Sequence, residues 1–110
     1  MAIEQIISMA QRAGKLVTGN FALKDALAKK RVKLLIIAGD TAARTWRELS
    51  RIAGSKNITV ITYSSKVELG RLIGKAPCSA VALTDEAMSL SILGALKRGD
   101  VNSRKHKSWR

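Results

Sequence analysis

The sequence predicts an α/β fold, a three-layer α/β/α sandwich with a mixed four-stranded sheet. Segments with apolar residues at helical spacing alternate with short aliphatic runs along the whole chain, a pattern that packs as helices on both faces of one sheet. The run Leu34-Leu35-Ile36-Ile37-Ala38 is apolar at every position, as a strand covered from both sides must be. The chain has 110 residues, 46% of them hydrophobic, enough for one domain with a real core. No internal repeat or linker divides it, so residues 1–99 are expected to form a single domain.

Ile3, Ile6, Ile7 and Ala10 mark an amphipathic helix over residues 3–13, stopped by Gly14. Leu16-Val17-Thr18 is long enough only for an edge strand. Gly19 and Asn20 break the chain, and Leu23, Ala26 and Leu27 define a second helix running into Lys29-Lys30-Arg31. Residues 34–38 form a central strand. Asp40 or Thr41 is placed to cap the third helix, with Ala42, Trp46, Leu49 and Ile52 on its buried side. Ile58 to Thr62 reads as a second central strand. Ser65 and Glu68 have the spacing of a capping box for a helix lasting to Gly74. Cys78 to Leu83 is the last strand, and a final helix capped near Thr84 or Asp85 is buried through Met88, Ile92, Ala95 and Leu96 until Gly99. Residues 100–110 lack apolar periodicity and carry Arg104, Lys105, Lys107 and Arg110, which reads as a flexible basic tail.

Charge narrows the choice of partner. Twenty Lys and Arg against eight Asp and Glu give a formal charge of +12, more than the magnitude of ~2 to 8 that keeps a small domain soluble. Such an excess points to a polyanion: RNA, DNA or an anionic membrane. The longest apolar run, Leu34 to Ala38, is far short of the ~20 residues of a spanning helix. Met1-Ala2-Ile3-Glu4-Gln5 lacks the charged start and apolar stretch of a signal peptide. A single cysteine, Cys78, allows no internal disulfide. A cytoplasmic protein away from membranes is the expectation.

Residues suited to catalysis are few. The only histidine, His106, falls in the basic tail, where nothing orients it. Cys78, just before a strand, reads as a small buried or half-buried hydrophobe. Asp40, Glu68, Asp85 and Glu86 fall at helix starts, where acids stabilise the dipole. Gly14-Lys15-Leu16-Val17-Thr18-Gly19-Asn20 has the glycine spacing of a phosphate loop, but Asn20 stands where the lysine is required. Gly70 to Lys75 is one residue short of that spacing. With no Cys/His cluster for a metal, no catalytic residue, metal, cofactor or small-molecule substrate is expected. Basic residues are the positive signal. Arg44, Arg47 and Arg51 form one helical stripe, and Lys29-Lys30-Arg31 with Lys33 lines a turn. Aromatic content of 4% argues against base-stacking platforms, leaving phosphate contacts through backbone amides, helix ends and cations.

Four features together resemble the ribosomal protein family of the large-subunit seven-A-e type, in particular its short bacterial stand-alone members. They are the order of elements, the decapeptide Lys66-Val67-Glu68-Leu69-Gly70-Arg71-Leu72-Ile73-Gly74-Lys75, the segment Lys33 to Asp40, and the glycine opening the second helix. The resemblance covers residues 3–97. It implies the same sandwich and an affinity for kink-turn RNA, a sharply bent helix–bulge–helix element. In that family the glycine-led second helix contacts sheared G·A pairs and the kinked backbone, and the loop before the last strand covers the bulge. The resemblance places these roles on Gly19, on Lys29 further along the helix, on Lys66, and on the loop Lys75, Ala76 and Pro77.

Some positions depart from the family pattern. Phe21 and Ala22 stand where kink-turn binders carry Asn and Glu, Asp25 where they carry Lys, and Gly39 where many carry Glu. A one-residue slip would put Asn20 and Lys24 on two of these positions. Phe21 and Ala22 have no side-chain donors or acceptors, so phosphate contacts are expected to supply most of the affinity. The expected RNA-binding set is Lys15, Gly19, Asn20, Phe21, Lys24, Lys29, Arg44, Lys66, Lys75, Ala76 and Pro77. The expected partner is structured, ribosomal-type RNA. A protein-interaction module offering its basic surface to an acidic partner is the rival reading.

Overall fold

The computed structural model describes residues 2–97; the expected helix stop at Gly99 and the basic tail with His106 lie outside the described residues. Along the chain run α1 (Ile3–Arg12), β1 (Leu16–Thr18), α2 (Asn20–Ala28), β2 (Leu34–Ile37), α3 (Ala43–Ser55), β3 (Thr59–Thr62), α4 (Lys66–Leu72), β4 (Ala80–Leu83) and α5 (Glu86–Lys97). The strands form one mixed sheet in the order β1-β4-β2-β3. β4 is antiparallel to both β1 and β2, and β3 is parallel to β2. None of the described helices is long and apolar enough to cross a membrane.

The three expected layers follow from the two-residue period of the strands. Leu34 and Ile36 of β2, Val81 and Leu83 of β4 and Ile61 of β3 face one way, into a core closed by Ile3, Ile6 and Ile7 of α1, Leu69 of α4 and Ile92 of α5. Leu35, Ile37, Ala80 and Ala82 face the other way, onto Leu23 and Leu27 of α2 and Leu49 and Ala53 of α3. All four residues of β2 are fully buried. At about 1.5–3 kcal/mol for each large aliphatic side chain withdrawn from water, that strand anchors both cores.

Three expectations are corrected. Ile58 to Thr62 does not form a second central strand: β3 is an edge that pairs with β2 alone, with Thr59 exposed and Val60 half-buried. The central place belongs to β4, buried at every residue, whose alanines let α2 and α3 approach the sheet. Neither Asp40 nor Thr41 caps α3, which starts after Ala42 with no side-chain cap. Asp40 Oδ1 instead accepts the Lys66 N–H at 2.8 Å, at the start of α4, and Thr41 donates its hydroxyl to the Ser79 carbonyl at 3.0 Å. Ala42 is exposed, and Ala53 supplies the buried contact a further turn along. At α4 the Ser65 hydroxyl does accept the Glu68 N–H at 3.1 Å, while the Glu68 carboxylate turns to Arg71. Asp85 caps α5 by accepting the Met88 N–H at 2.9 Å.

Candidate functional site

At the end of the sheet where β1 stops and β4 begins, three segments distant in sequence border one cleft of about 570 Å³. Gly19 and Asn20 line it from the start of α2, Thr45 and Leu49 from α3, and Lys75, Ala76 and Pro77 from the loop before β4. The chain enters α2 through Gly19 at φ 96° and ψ 138°, a backbone conformation that a side chain strains. Gly19 has no side chain to cap the helix, so the first amides of α2 keep their donors unsatisfied and carry the positive end of the dipole.

The loop is held by backbone contacts. Lys75 N–H donates to the Gly70 carbonyl at 2.8 Å, Cys78 N–H to the Lys66 carbonyl at 3.0 Å, and Ala38 N–H to Ser79 at 2.8 Å. The half-buried Cys78 thiol shares a 2.9 Å hydrogen bond with the Thr18 hydroxyl and lies 3.1 Å from the Ala80 carbonyl, joining the loop to β1. Gly70 permits the approach. A Cβ there would stand 2.3 Å from the Ala76 oxygen and 2.9 Å from the Lys75 oxygen, inside any real contact. Sequence reasoning did not single out this role. The available signal was a glycine within a helical pattern, which costs about 1 kcal/mol relative to alanine and so marks a packing need.

Of the cations expected at the site, Lys75 lines the cleft. Arg44 is exposed on the first turn of α3, next to cleft-lining Thr45. Lys66 opens α4, its backbone fastened to Asp40 on one side and to Cys78 on the other. Among the described residues none of these three is in an ion pair. Lys24 lies one turn into α2, but its ammonium is 2.9 Å from Glu48 on α3. The hydrogen bond from Lys24 holds the Glu48 carboxyl below the usual range, helped by the charges of Lys24, Arg51 and Arg44. The stripe Arg44, Arg47 and Arg51 is exposed as expected.

Lys15 and Lys29 are not brought to the cleft. Lys15 precedes β1, where its carbonyl accepts the Thr84 N–H at 2.9 Å, at the far end of β4. Lys29 closes the opposite end of α2, roughly 14 Å along its axis from Asn20 at 1.5 Å per residue, and pairs with Asp25 at 3.3 Å. Lys33 donates its amide to Leu83, so the turn Lys29-Lys30-Arg31 with Lys33 belongs to that far end too.

Phe21 follows Asn20 and is 92% exposed. The cleft thus combines the free amides at the start of α2 with Lys75, while Phe21 and Arg44 are each next in sequence to a residue that lines it.

Known proteins resemble this chain in sequence and in fold. Residues 1–93 match the model of the ribosomal protein L7Ae/L30e/S12e/Gadd45 family. RNA-binding protein YlxQ of Bacillus subtilis (strain 168) is 25% identical over 91 residues, spanning 83% of this chain and 91% of its own length. A solved structure of a Bacillus halodurans protein of unknown function superposes with a TM-score of 0.79 at 27% identity, covering 84% of this chain and 93% of that one.

Proposed function

The chain belongs to the ribosomal protein L7Ae/L30e/S12e/Gadd45 family, and from that premise we propose that it is a non-catalytic, cytoplasmic RNA-binding protein, ribosomal or ribosome-associated. The structured RNA sits across the cleft between Gly19 and Pro77. One observation carries the reading: the glycine-led start of α2 and the loop Lys75 to Pro77 border the same cleft. The +12 charge and the printed description of YlxQ as RNA-binding support it.

In this reading the amides at the start of α2 meet phosphate oxygens, which the helix dipole favours. Arg44, Lys66 and Lys75 add charge around the rim. The exposed loop Lys75, Ala76 and Pro77 covers an unpaired nucleotide at the bend of a kink-turn. Phe21 and Ala22 offer no hydrogen bonds to base edges, so the bend is recognised through its shape and phosphates.

A binding comparison between a kink-turn RNA and an unbent duplex of equal length, at several salt concentrations, tests this. We expect binding to both to weaken steeply as salt rises, with the kink-turn preferred by roughly tenfold or less. A preference of a hundredfold or more would overturn the shape-and-phosphate account in favour of base readout through Asn20 and Lys24. Absence of RNA binding, with capture of acidic proteins instead, would overturn the whole reading.

A further inference from the structure

Phe21 has no part in the fold. Its ring is 92% exposed, whereas the other described aromatics are engaged: Tyr63 is 6% exposed and donates its hydroxyl to Glu4, and half-buried Trp46 packs against the α2–α3 core. Burying a phenylalanine contributes about 1.5–3 kcal/mol, and this chain forgoes that at Phe21. A single exposed apolar residue is ordinary on a protein surface. Here, however, the exposure coincides with a particular place. Phe21 is the residue after cleft-lining Asn20, on the first turn of α2, and Cα–Cβ bonds there tilt toward the helix start. Another exposed apolar residue, Val67 at 64%, is on the first turn of α4, next in sequence to Lys66, whose carbonyl holds the cleft loop at Cys78. Of the cations expected at the site, Lys75 lines the cleft and Arg44 is next to cleft-lining Thr45, and neither is in an ion pair among the described residues. Cations that hold a sugar-phosphate backbone beside a bare aromatic ring bring bases within its reach.

We propose that Phe21 stacks its ring on one unpaired nucleobase of the RNA seated in the cleft, and so favours RNA with an extruded base over fully paired RNA. The proposal rests on the RNA-binding reading. It concerns one ring and one base, consistent with an aromatic content too low for an extended stacking platform.

The test uses two probes: a kink-turn RNA carrying 2-aminopurine at its unpaired bulge nucleotide, and a fully paired duplex of equal length. The full chain is compared with Phe21→Ala and Phe21→Trp, each at several potassium chloride concentrations. Phe21→Ala is expected to bind the bulged RNA roughly 5- to 10-fold more weakly, the low end of what one stacked base contributes, with duplex affinity unchanged. The slope of log affinity against log salt should not move, because no charge is removed. Phe21→Trp should restore the affinity. Quenching of 2-aminopurine on binding should appear with the natural chain and with Phe21→Trp and vanish with Phe21→Ala. Melting temperatures should coincide, since the ring is 92% exposed.

Equal affinity of Phe21→Ala and the natural chain for the bulged RNA overturns the proposal while leaving RNA binding in place. An equal loss on both probes also overturns it. So does intact RNA affinity with lost recovery of a protein partner, which would make Phe21 a protein contact. If the natural chain binds neither probe in a salt-dependent way, the RNA-binding reading falls and this inference falls with it.

Discussion

Replacing Gly70 by alanine tests how the cleft loop is positioned. The new Cβ would lie 2.3 Å from the Ala76 oxygen, 2.7 Å from its carbonyl carbon and 2.9 Å from the Lys75 oxygen. All three are backbone atoms, so no side chain can swing aside. An ordinary carbon–oxygen contact begins near ~3.3 Å, and the loop must therefore retreat by about 1 Å. Overpacking of this kind costs about 1–3 kcal/mol. Disturbing the Lys75 N–H bond to Gly70 adds about 0.5–1.5 kcal/mol, and alanine's better helix propensity returns about 1 kcal/mol. The expected net loss is about 0.5–3.5 kcal/mol, which for a domain of this size lowers the melting temperature by roughly 2–28 °C.

Gly54→Ala is the control. Gly54 also lies in a helix, α3, but nothing stands within 4 Å of its added Cβ. That variant should gain about 0.5–1 kcal/mol. Thermal melting of both variants, with RNA affinity measured where each is folded, gives the comparison. Gly70→Ala should also bind RNA more weakly, because Lys75 to Pro77 have moved. The reasoning is refuted if Gly70→Ala is as stable as Gly54→Ala and binds RNA as the natural chain does.

At Gly19 no atom lies within 4 Å of an added Cβ, but φ is +96°; Gly19→Val should therefore lose about 1–3 kcal/mol through backbone strain alone and lose RNA affinity beyond that. Affinity preserved in the folded fraction, read from titrations beside melting curves, would reduce Gly19 to a turn residue. Glu48→Gln should free Lys24, steepening the salt slope of RNA binding by up to about 0.7–0.9; an unchanged slope would place Lys24 away from the RNA. Because the Glu48 carboxyl is held below its ordinary range by Lys24, its contribution to stability is present above the ordinary carboxylate pKa and is lost as pH falls through the depressed value. The melting temperatures of Glu48→Gln and the natural chain should accordingly differ slightly at neutral pH and converge in acid, as a pH series of melts would show.

What the sequence revealed depended on the range of the interaction involved. β2 was legible because burial on both faces leaves a local mark, five consecutive apolar residues. The place of β3 was not, because strand neighbours are set by pairing across the chain, and Ile58 to Thr62 is no less strand-like than Ala80 to Leu83. The start of α3 was misread because Asp40 and Thr41 spend their side chains on Lys66 and Ser79, which are remote in sequence. Within the candidate site, Gly19 and the loop Lys75 to Pro77 came from the family resemblance, and the structure puts them at one cleft. Lys15 and Lys29 looked equivalent to the other cations until strand direction separated the two ends of the sheet. Gly70 lay in the decapeptide that carried the resemblance, yet its reason is a backbone on the far side of a loop.

The strand order has a consequence for synthesis. A ribosome delivers β1 and β2 early, but the two are not neighbours: β4, the last strand made, fills the slot between them. A nascent chain that has reached α4 has an unpaired β1 and lacks Cys78 to Ala80, so one wall of the cleft does not yet exist. Non-local pairing of this kind is formed late and slowly. Products interrupted before β4 thus carry most of the basic residues but no assembled cleft.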